Sequence, residues 1–364
     1  MKNVLFAGGG TGGHLYPALA LADALERENG DVRSHFVGAL RGVEARVLPN
    51  EKRPHTLLPF EPLRRSKVWQ NWRLVPSMWS SVMGLRRLFN EFEPSLVVGT
   101  GGYASAPACL YAISKGVPVA IQEQNSHAGL TQRTVGRWAR QIHLGFPEAR
   151  TGMKPGKNTE VFALGNPIRP PDEAITKDAA RTKFGLRQDS AVVLVTGGSQ
   201  GSRALNTAMV QVLKLASSHP FEVLWATGPN NFDDVKKAIE GLPDVHVHPY
   251  ISNMPEAMAA ADVAISRAGA MATAELLAWG IPMILIPLPT AAADHQTHNA
   301  RALENAGAAV MLLEKNLNVH ALNATLQEII NDPAKRSTMR AAALERARPH
   351  AAQQIAQKLE LLLG

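Results

Sequence analysis

The sequence predicts an α/β chain of two doubly wound, Rossmann-like domains in tandem, and three observations carry that expectation. Short apolar runs alternate with helical segments along the whole length, the pattern of βαβ units and a parallel sheet. Each half has one glycine-rich loop between a strand and a helix. The halves also repeat in detail. Residues 97–121 read strand, Thr100-Gly101-Gly102, helix, Gly116-Val117-Pro118, strand; residues 263–286 read strand, Arg267-Ala268-Gly269, helix, Gly280-Ile281-Pro282, strand. A length of 364 residues exceeds one ordinary core and suits two domains.

Taken in order, Val4 to Ala7 is an apolar strand, and Gly8-Gly9-Gly10-Thr11-Gly12-Gly13-His14 is the first glycine loop. A helix follows from about Leu15 to Arg27, with Leu19, Ala22 and Leu25 on its buried stripe. Further strands are expected at Ser34–Gly38, Leu96–Gly99 and Val117–Gln122. In the second half Ala191–Thr196 is a strand, Gly197-Gly198-Ser199-Gln200-Gly201-Ser202 a loop, and about Arg203–Ser217 a helix. Strands are expected again at Glu222–Ala226, Val245–Val247, Val263–Ser266 and Met283–Pro287. The joint falls near Gly165-Asn166-Pro167, dividing the chain into 1–165 and 166–349. A last helix, about 350–364, beyond a break at Pro349, is expected to pack back on the first domain.

Composition narrows the class. With 45% hydrophobic and 19% charged residues the chain reads as globular. Its single cysteine, Cys109, allows no internal disulfide and fits a reducing compartment. No apolar run has the length of a membrane span, and the N-terminus shows no signal-peptide pattern, so a cytosolic location is expected. Residues 1–165 hold 20 Lys+Arg and 12 Asp+Glu, a net +8, against −1 for the rest. Such asymmetry points to an anionic partner for the first half. Residues 64–87 carry Arg64, Arg65, Lys67, Arg73, Arg86 and Arg87 without an acid, interleaved with Trp69, Trp72, Val75 and Trp79. That stretch suits either an anionic membrane surface or a core helix with its arginines in water. No nucleic-acid motif accompanies it, and no nucleic-acid partner is expected.

Both glycine loops offer backbone N–H groups and a helix N-terminus to a phosphate. The first also fits a dinucleotide fingerprint, Gly8-x-Gly10-x-x-Gly13. A dehydrogenase would further need an acid at the next strand's end, which here reads Phe36-Val37-Gly38-Ala39; Glu28 and Asp31 come before it and Glu44 after it. No Walker A lysine is present, which disfavours an NTPase. His14 suits either a helix-capping, packed role or a general base beside a phosphate site. Ser199 is placed to donate to a diphosphate, and Arg267 to neutralise a leaving group. Glu275 suits ribose hydroxyls or a solvent-facing helix. Gln296 and Asn299, three apart on one helical face, suit sugar hydroxyls or an ordinary polar turn. No residues show zinc spacing, and no protein-bound metal or other cofactor is expected.

An ordered set of motifs gives the chain a resemblance over nearly its whole length: GGGTGGHLYPALALA at 8–22, GTGGYASAP at 99–107, QEQN at 122–125, GLTQR at 129–133, GNPIR at 165–169, TGGSQGSRALN at 196–206, SRAGAMATAELLAWGIPMILIPLP at 266–289 and DHQTHNA at 294–300. With these the chain resembles the MurG family of N-acetylglucosaminyltransferases. The resemblance implies a GT-B fold with two domains facing across a cleft and an inverting, metal-independent transfer. N-acetylglucosamine would pass from UDP-N-acetylglucosamine to the C4 hydroxyl of the muramyl sugar of lipid I, giving lipid II and UDP. By motif, His14 would be the base and Gly12-Gly13 would hold the acceptor pyrophosphate. Thr11, Tyr103 and Glu123 would line the acceptor side, with Asn125 near the donor sugar. Arg169 and Ser199 would contact the diphosphate, Ile251 the uracil, Glu275 the ribose, and Gln296 with Asn299 the sugar. The family's membrane patch agrees with the basic, aromatic stretch and implies a peripheral place on the cytoplasmic face of the membrane, beside other cell-wall synthesis proteins. The competing readings are a related transferase acting on another membrane lipid, a UDP-N-acetylglucosamine epimerase, a membrane-docking scaffold and a dehydrogenase.

Overall fold

Seven strands form the sheet of the first unit: β1 (Lys2–Gly8), β2 (Val32–Ala39), β3 (His55–Leu58), β4 (Leu96–Gly101), β5 (Val119–Glu123), β6 (Gln141–Leu144) and β7 (Glu160–Phe162). They pair in parallel in the order β3-β2-β1-β4-β5-β6-β7. The second unit has six: β8 (Ala191–Thr196), β9 (Phe221–Ala226), β10 (Val245–His248), β11 (Val263–Ser266), β12 (Met283–Leu285) and β13 (Ala309–Met311). These are also parallel, in the order β10-β9-β8-β11-β12-β13. Strand order reverses between β1 and β4 in one sheet and between β8 and β11 in the other. Ligands of open parallel sheets bind outside the strand ends at such switch points, and each glycine loop leaves the sheet at one of them. The structure is a computed structural model that describes residues 1–62 and 68–364, without the side chains of Val68, Gln70 and Arg73.

The central strands are near-continuous apolar runs, because helices cover both faces of a parallel sheet. Val4, Leu5, Phe6 and Ala7 are all buried, as are Val192 to Val195. The strands that sequence patterning passes over, β3, β6, β7 and β13, are short, and polar residues interrupt several of them. In β6, Gln141 and His143 are buried, and the His143 ring meets Gln141 Oε1 at 3.2 Å. The helix expected to reach Ser217 ends at Leu213, where the His219 ring Nε2 lies 3.0 Å from the Leu213 carbonyl.

The units divide as residues 1–169 with 348–364, and 170–347. The boundary therefore falls four residues beyond the joint read from the sequence, for a physical reason. Gly165 N–H bonds the Leu144 carbonyl at 3.1 Å. Asn166 is buried, accepts from Gln122 Nε2 at 3.1 Å and donates to the Gln124 carbonyl at 3.0 Å. These bonds tie the GNP segment to the first sheet. The helix Ala351–Glu360 returns to that unit, and Ala352, Ile355, Ala356 and Leu359 pack into the core around Leu15, Leu21 and Leu25. Burying Ile355 and Leu359 contributes about 1.5–3 kcal/mol each.

Candidate active site

In the first unit, β1 runs into the glycine loop and then the helix Gly12–Glu28. Thr11 is the helix N-cap, in extended conformation, but its hydroxyl makes no capping bond to the helix. It lies instead 3.0 Å from His14 Nδ1. In the tautomer whose Nδ1–H donates to Thr11 Oγ1, the ring's lone pair is on Nε2. His14 is half-buried and packs against Gly101 and Gly102 at the end of β4, where a Cβ on Gly101 would approach the ring at 2.8 Å. Thr100 Oγ1 donates to the His14 carbonyl at 2.8 Å. The switch-point strands thus hold both the ring and the backbone of this residue. Gly12 and Gly13 open the helix, where first-turn N–H groups have no intrahelical acceptor. Tyr103 lies over Gly10. Its phenol is pushed up in pKa by burial and then by the Glu44 and Glu61 carboxylates.

Glu123 ends β5 and is buried. Its Oε1 accepts from the N–H of Asn125 at 2.9 Å and from Asn125 Nδ2 at 3.3 Å, and its Oε2 accepts from Gly129 N–H at 2.8 Å. Burial raises its pKa, opposed by these bonds. The carboxylate staples the loop 124–129 and holds Asn125. The amides around it were not singled out in the sequence, although QEQN was. Gln124 Nε2 donates to the Thr100 carbonyl at 2.7 Å and Gln132 Nε2 to the Gly99 carbonyl at 3.3 Å. They tie β5 and the following helix to the His14 side of β4.

The second unit repeats the plan with other chemistry. Gly201 N–H closes the loop on the Gly198 carbonyl at 2.9 Å. Ser202 caps the helix Arg203–Leu213 by accepting from Leu205 N–H at 3.4 Å. Asn206 on that helix donates to the Thr227 carbonyl at 2.9 Å and accepts from Trp225 Nε1 at 3.1 Å, with Trp225 fully buried. Ser199 stands exposed at the loop tip. Arg267, after β11, is only 11% exposed. It donates to Ser202 Oγ at 2.7 Å and to the Ile286 and Pro287 carbonyls at 3.1 and 3.2 Å, and pairs with Glu314 at 2.6 Å. These contacts fasten Arg267 to the end of the second glycine loop at Ser202 and to the backbone after β12.

Asn299 is likewise buried and donates to the Ala268 carbonyl at 3.1 Å. That bond fastens the turn after β11 to the helix His295–Asn305. Gln296 is half-exposed, with Oε1 accepting from Leu288 N–H at 3.0 Å. Its amide nitrogen is on the same side chain as that anchored oxygen. Glu275 is half-exposed on the helix Ala270–Ala278, Ile251 is buried after β10, and Arg169 is exposed as the last residue of the first unit's main segment.

The stretch after β3 splits in two. The helix Val75–Phe92 buries Ser81, Leu85, Leu88, Phe89 and Phe92. Its early face and the preceding 3-10 helix Val68–Leu74 leave Trp69, Trp72, Val75 and Trp79 between 60% and 70% exposed. Arg64, Arg65 and Lys67 lie outside the described residues. Among the described residues, no helix is long and apolar enough to cross a membrane. No group of three or more His, Cys, Asp or Glu among them is placed to hold an ion.

Two doubly wound units of this kind make the GT-B α/β fold, and the sequence defines the class of protein that carries it. Residues 4–144 match the glycosyltransferase family 28 N-terminal domain and residues 192–355 its C-terminal domain. The chain is 41% identical over 355 residues, 97% of its length and 95% of the other's, to the UDP-N-acetylglucosamine–N-acetylmuramyl-(pentapeptide) pyrophosphoryl-undecaprenol N-acetylglucosamine transferase of Salinibacter ruber. The crystal structure of Acinetobacter baumannii MurG matches with a TM-score of 0.80 at 26% identity, over 99% of this chain and 100% of that one. The chain belongs to the MurG family. A UDP-N-acetylglucosamine 2-epimerase from Neisseria meningitidis also matches, with a TM-score of 0.68 at 15% identity over 99% and 100% of the chains. That likeness is one of fold alone.

Proposed function

We propose that this enzyme transfers N-acetylglucosamine from UDP-N-acetylglucosamine to the C4 hydroxyl of the muramyl sugar of lipid I, releasing UDP and lipid II for peptidoglycan synthesis. The observation that carries the reading is similarity to a transferase of that name along 97% of the chain. The epimerase alternative shares the fold only, and at 15% identity. In the transfer the C4 oxygen bonds the anomeric carbon of the donor while the bond from that carbon to the diphosphate oxygen breaks. The electron pair leaves with UDP, the configuration inverts, and the hydroxyl proton passes to His14 Nε2. This role needs the tautomer in which His14 Nδ1–H donates to the Thr11 hydroxyl 3.0 Å away, leaving the lone pair on Nε2.

Ser199, the N-terminus of the helix Arg203–Leu213 and Arg169 meet the diphosphate charge, so no bound metal is required. Ile251 borders the uracil, Glu275 takes the ribose, and Asn125 and Gln296 take the sugar. Gly12, Gly13 and Tyr103 face the acceptor. Trp69, Trp72, Val75 and Trp79, with Arg64, Arg65 and Lys67, seat the first unit on anionic lipid at the cytoplasmic face of the membrane, where other cell-wall synthesis proteins work.

The test is UDP release from UDP-N-acetylglucosamine with and without a short-chain lipid I analogue, in the wild type and His14→Ala. Release should require the analogue and fall by roughly 10² or more in the variant. Release without acceptor would sink the transferase reading in favour of an epimerase or hydrolase. Undiminished transfer in His14→Ala would move the base elsewhere.

A further inference from the structure

Beneath the first glycine loop lies a charged group that the transfer step does not use. Glu44 is completely buried. Its Oε2 accepts from Gly10 N–H at 2.8 Å and its Oε1 from Ala39 N–H at 2.7 Å, at the end of β2. A Cβ on Gly9, Gly38 or Gly42 would collide with its side chain. Three glycines from two segments therefore shape a cradle for one carboxylate. A strand–glycine–helix turn at a switch point is ordinarily where backbone N–H groups receive a phosphate. Here the anion comes from the chain.

We propose that Glu44 is the resident anion of the first glycine loop. It takes the anion's role beneath Gly9-Gly10, fixes the turn that carries Thr11 and His14, and denies a nucleotide diphosphate a place at Gly9-Gly10. A second anion at Gly10 would meet a buried like charge, which is costly in a low-dielectric surrounding. The second loop has the guanidinium of Arg267 behind it instead. Charge behind the loop thus sorts two similar turns for two ligands. The donor's diphosphate goes to the second, and the acceptor is held by the first through Gly12 and Gly13 at the helix start. Glu44 is a positioning residue, since it touches neither substrate.

The test compares Glu44→Ala with Glu44→Gln, and rests on the transferase reading only for its activity arm. Glu44→Ala opens a small cavity lined by two N–H donors. Its turnover number should fall about 10-fold or more, with the KM for UDP-N-acetylglucosamine within about twofold of the wild type. Sodium formate should restore turnover, whereas formamide and matched sodium chloride should not. The same selectivity should appear in thermal midpoints, which need no turnover: formate, but not formamide, raises that of Glu44→Ala. With UDP saturating the second unit, inorganic pyrophosphate should stabilise Glu44→Ala more than the wild type, whose Gly12-Gly13 site remains but whose Gly9-Gly10 turn is already filled. Equal effects of formate and formamide, or equal pyrophosphate stabilisation of both proteins, would overturn the proposal. Glu44→Gln keeps the volume and removes the charge, and carries the activity arm if Glu44→Ala does not fold. Its turnover should also fall, and wild-type turnover would count against a resident anion. A wild type that turns nothing over, with formate-specific stabilisation intact, would defeat the transferase reading and leave this one standing.

Discussion

The loop after β1 and the loop after β8 leave their sheets at equivalent points, yet opposite charges hold them. Glu44 accepts from the backbone of the first, while Arg267 donates to Ser202 at the end of the second. The helices differ in the same sense. Ser202 caps its own helix, whereas Thr11 turns its hydroxyl to His14. The second loop is fastened at its helix cap by a cation; the first is fastened by an anion and turns its cap residue toward His14. A repeated strand–loop–helix pattern therefore says little about ligand until the groups behind the loop are known.

The hardest way to break this comparison is to remove the arginine. Arg267→Ala leaves Glu314 and Ser202 without their partner, and truncating one side of a largely buried pair costs about 3 kcal/mol or more. Chemical denaturation should show that loss in the second unit's transition, with weaker UDP binding by titration calorimetry. Unchanged UDP affinity would mean that the second loop keeps its shape without Arg267. The units also differ in their surfaces. Trp69→Ala with Trp72→Ala should weaken binding to vesicles of anionic lipid by about 2 kcal/mol or more, given the apolar area of two exposed indoles. Sedimentation of the double variant like the wild type would contradict membrane seating by these residues.

Acid should separate the units further. In the first, burial together with neighbouring His55 and Arg33 lowers His35 to a pKa of about 4, and burial with Lys358 lowers His143 to about 3. Their unfolded value is 6.5, so between these limits the unfolded chain binds the extra protons. Stability is then full above pH 6.5 and falls as pH drops below it, by up to about 1.4 kcal/mol per pH unit for each histidine. In the second unit His248 is lowered too, by burial and then His246, from a less enclosed position. Acid unfolding followed by hydrogen exchange should open the first unit first, and His143→Gln should flatten its pH dependence. The smallest effect concerns the cap. Thr11→Val removes one hydrogen bond of about 1 kcal/mol, so the turnover number should drop about fivefold with the pH profile displaced. An unaltered profile would show that His14 needs no help with its tautomer.

Much of this was legible in the chain. Apolar runs and glycine turns mark β1, β4, β8 and β11 because a parallel strand covered on both faces has to be apolar throughout. The motifs mark the two loops and single out His14 and Ser199 as candidates within them. What each polar residue holds is not legible in the same way. Only the bonds made in the fold show that Glu123 fastens the loop 124–129, Arg267 the Ser202 hydroxyl and Asn299 the Ala268 carbonyl. Glu44 illustrates the point. Five residues past the end of β2, it read as too late to be the acid of a dinucleotide site, yet its carboxylate folds back onto Ala39 N–H.

By itself, then, the sequence determined two doubly wound halves, their glycine loops and the family, since periodicity and motif are properties of neighbouring residues. The tertiary structure decided which polar side chains are enclosed and what each one holds. Those bonds span 34 residues for Glu44 and Gly10 and 65 for Arg267 and Ser202, and no local pattern encodes a partner at that distance.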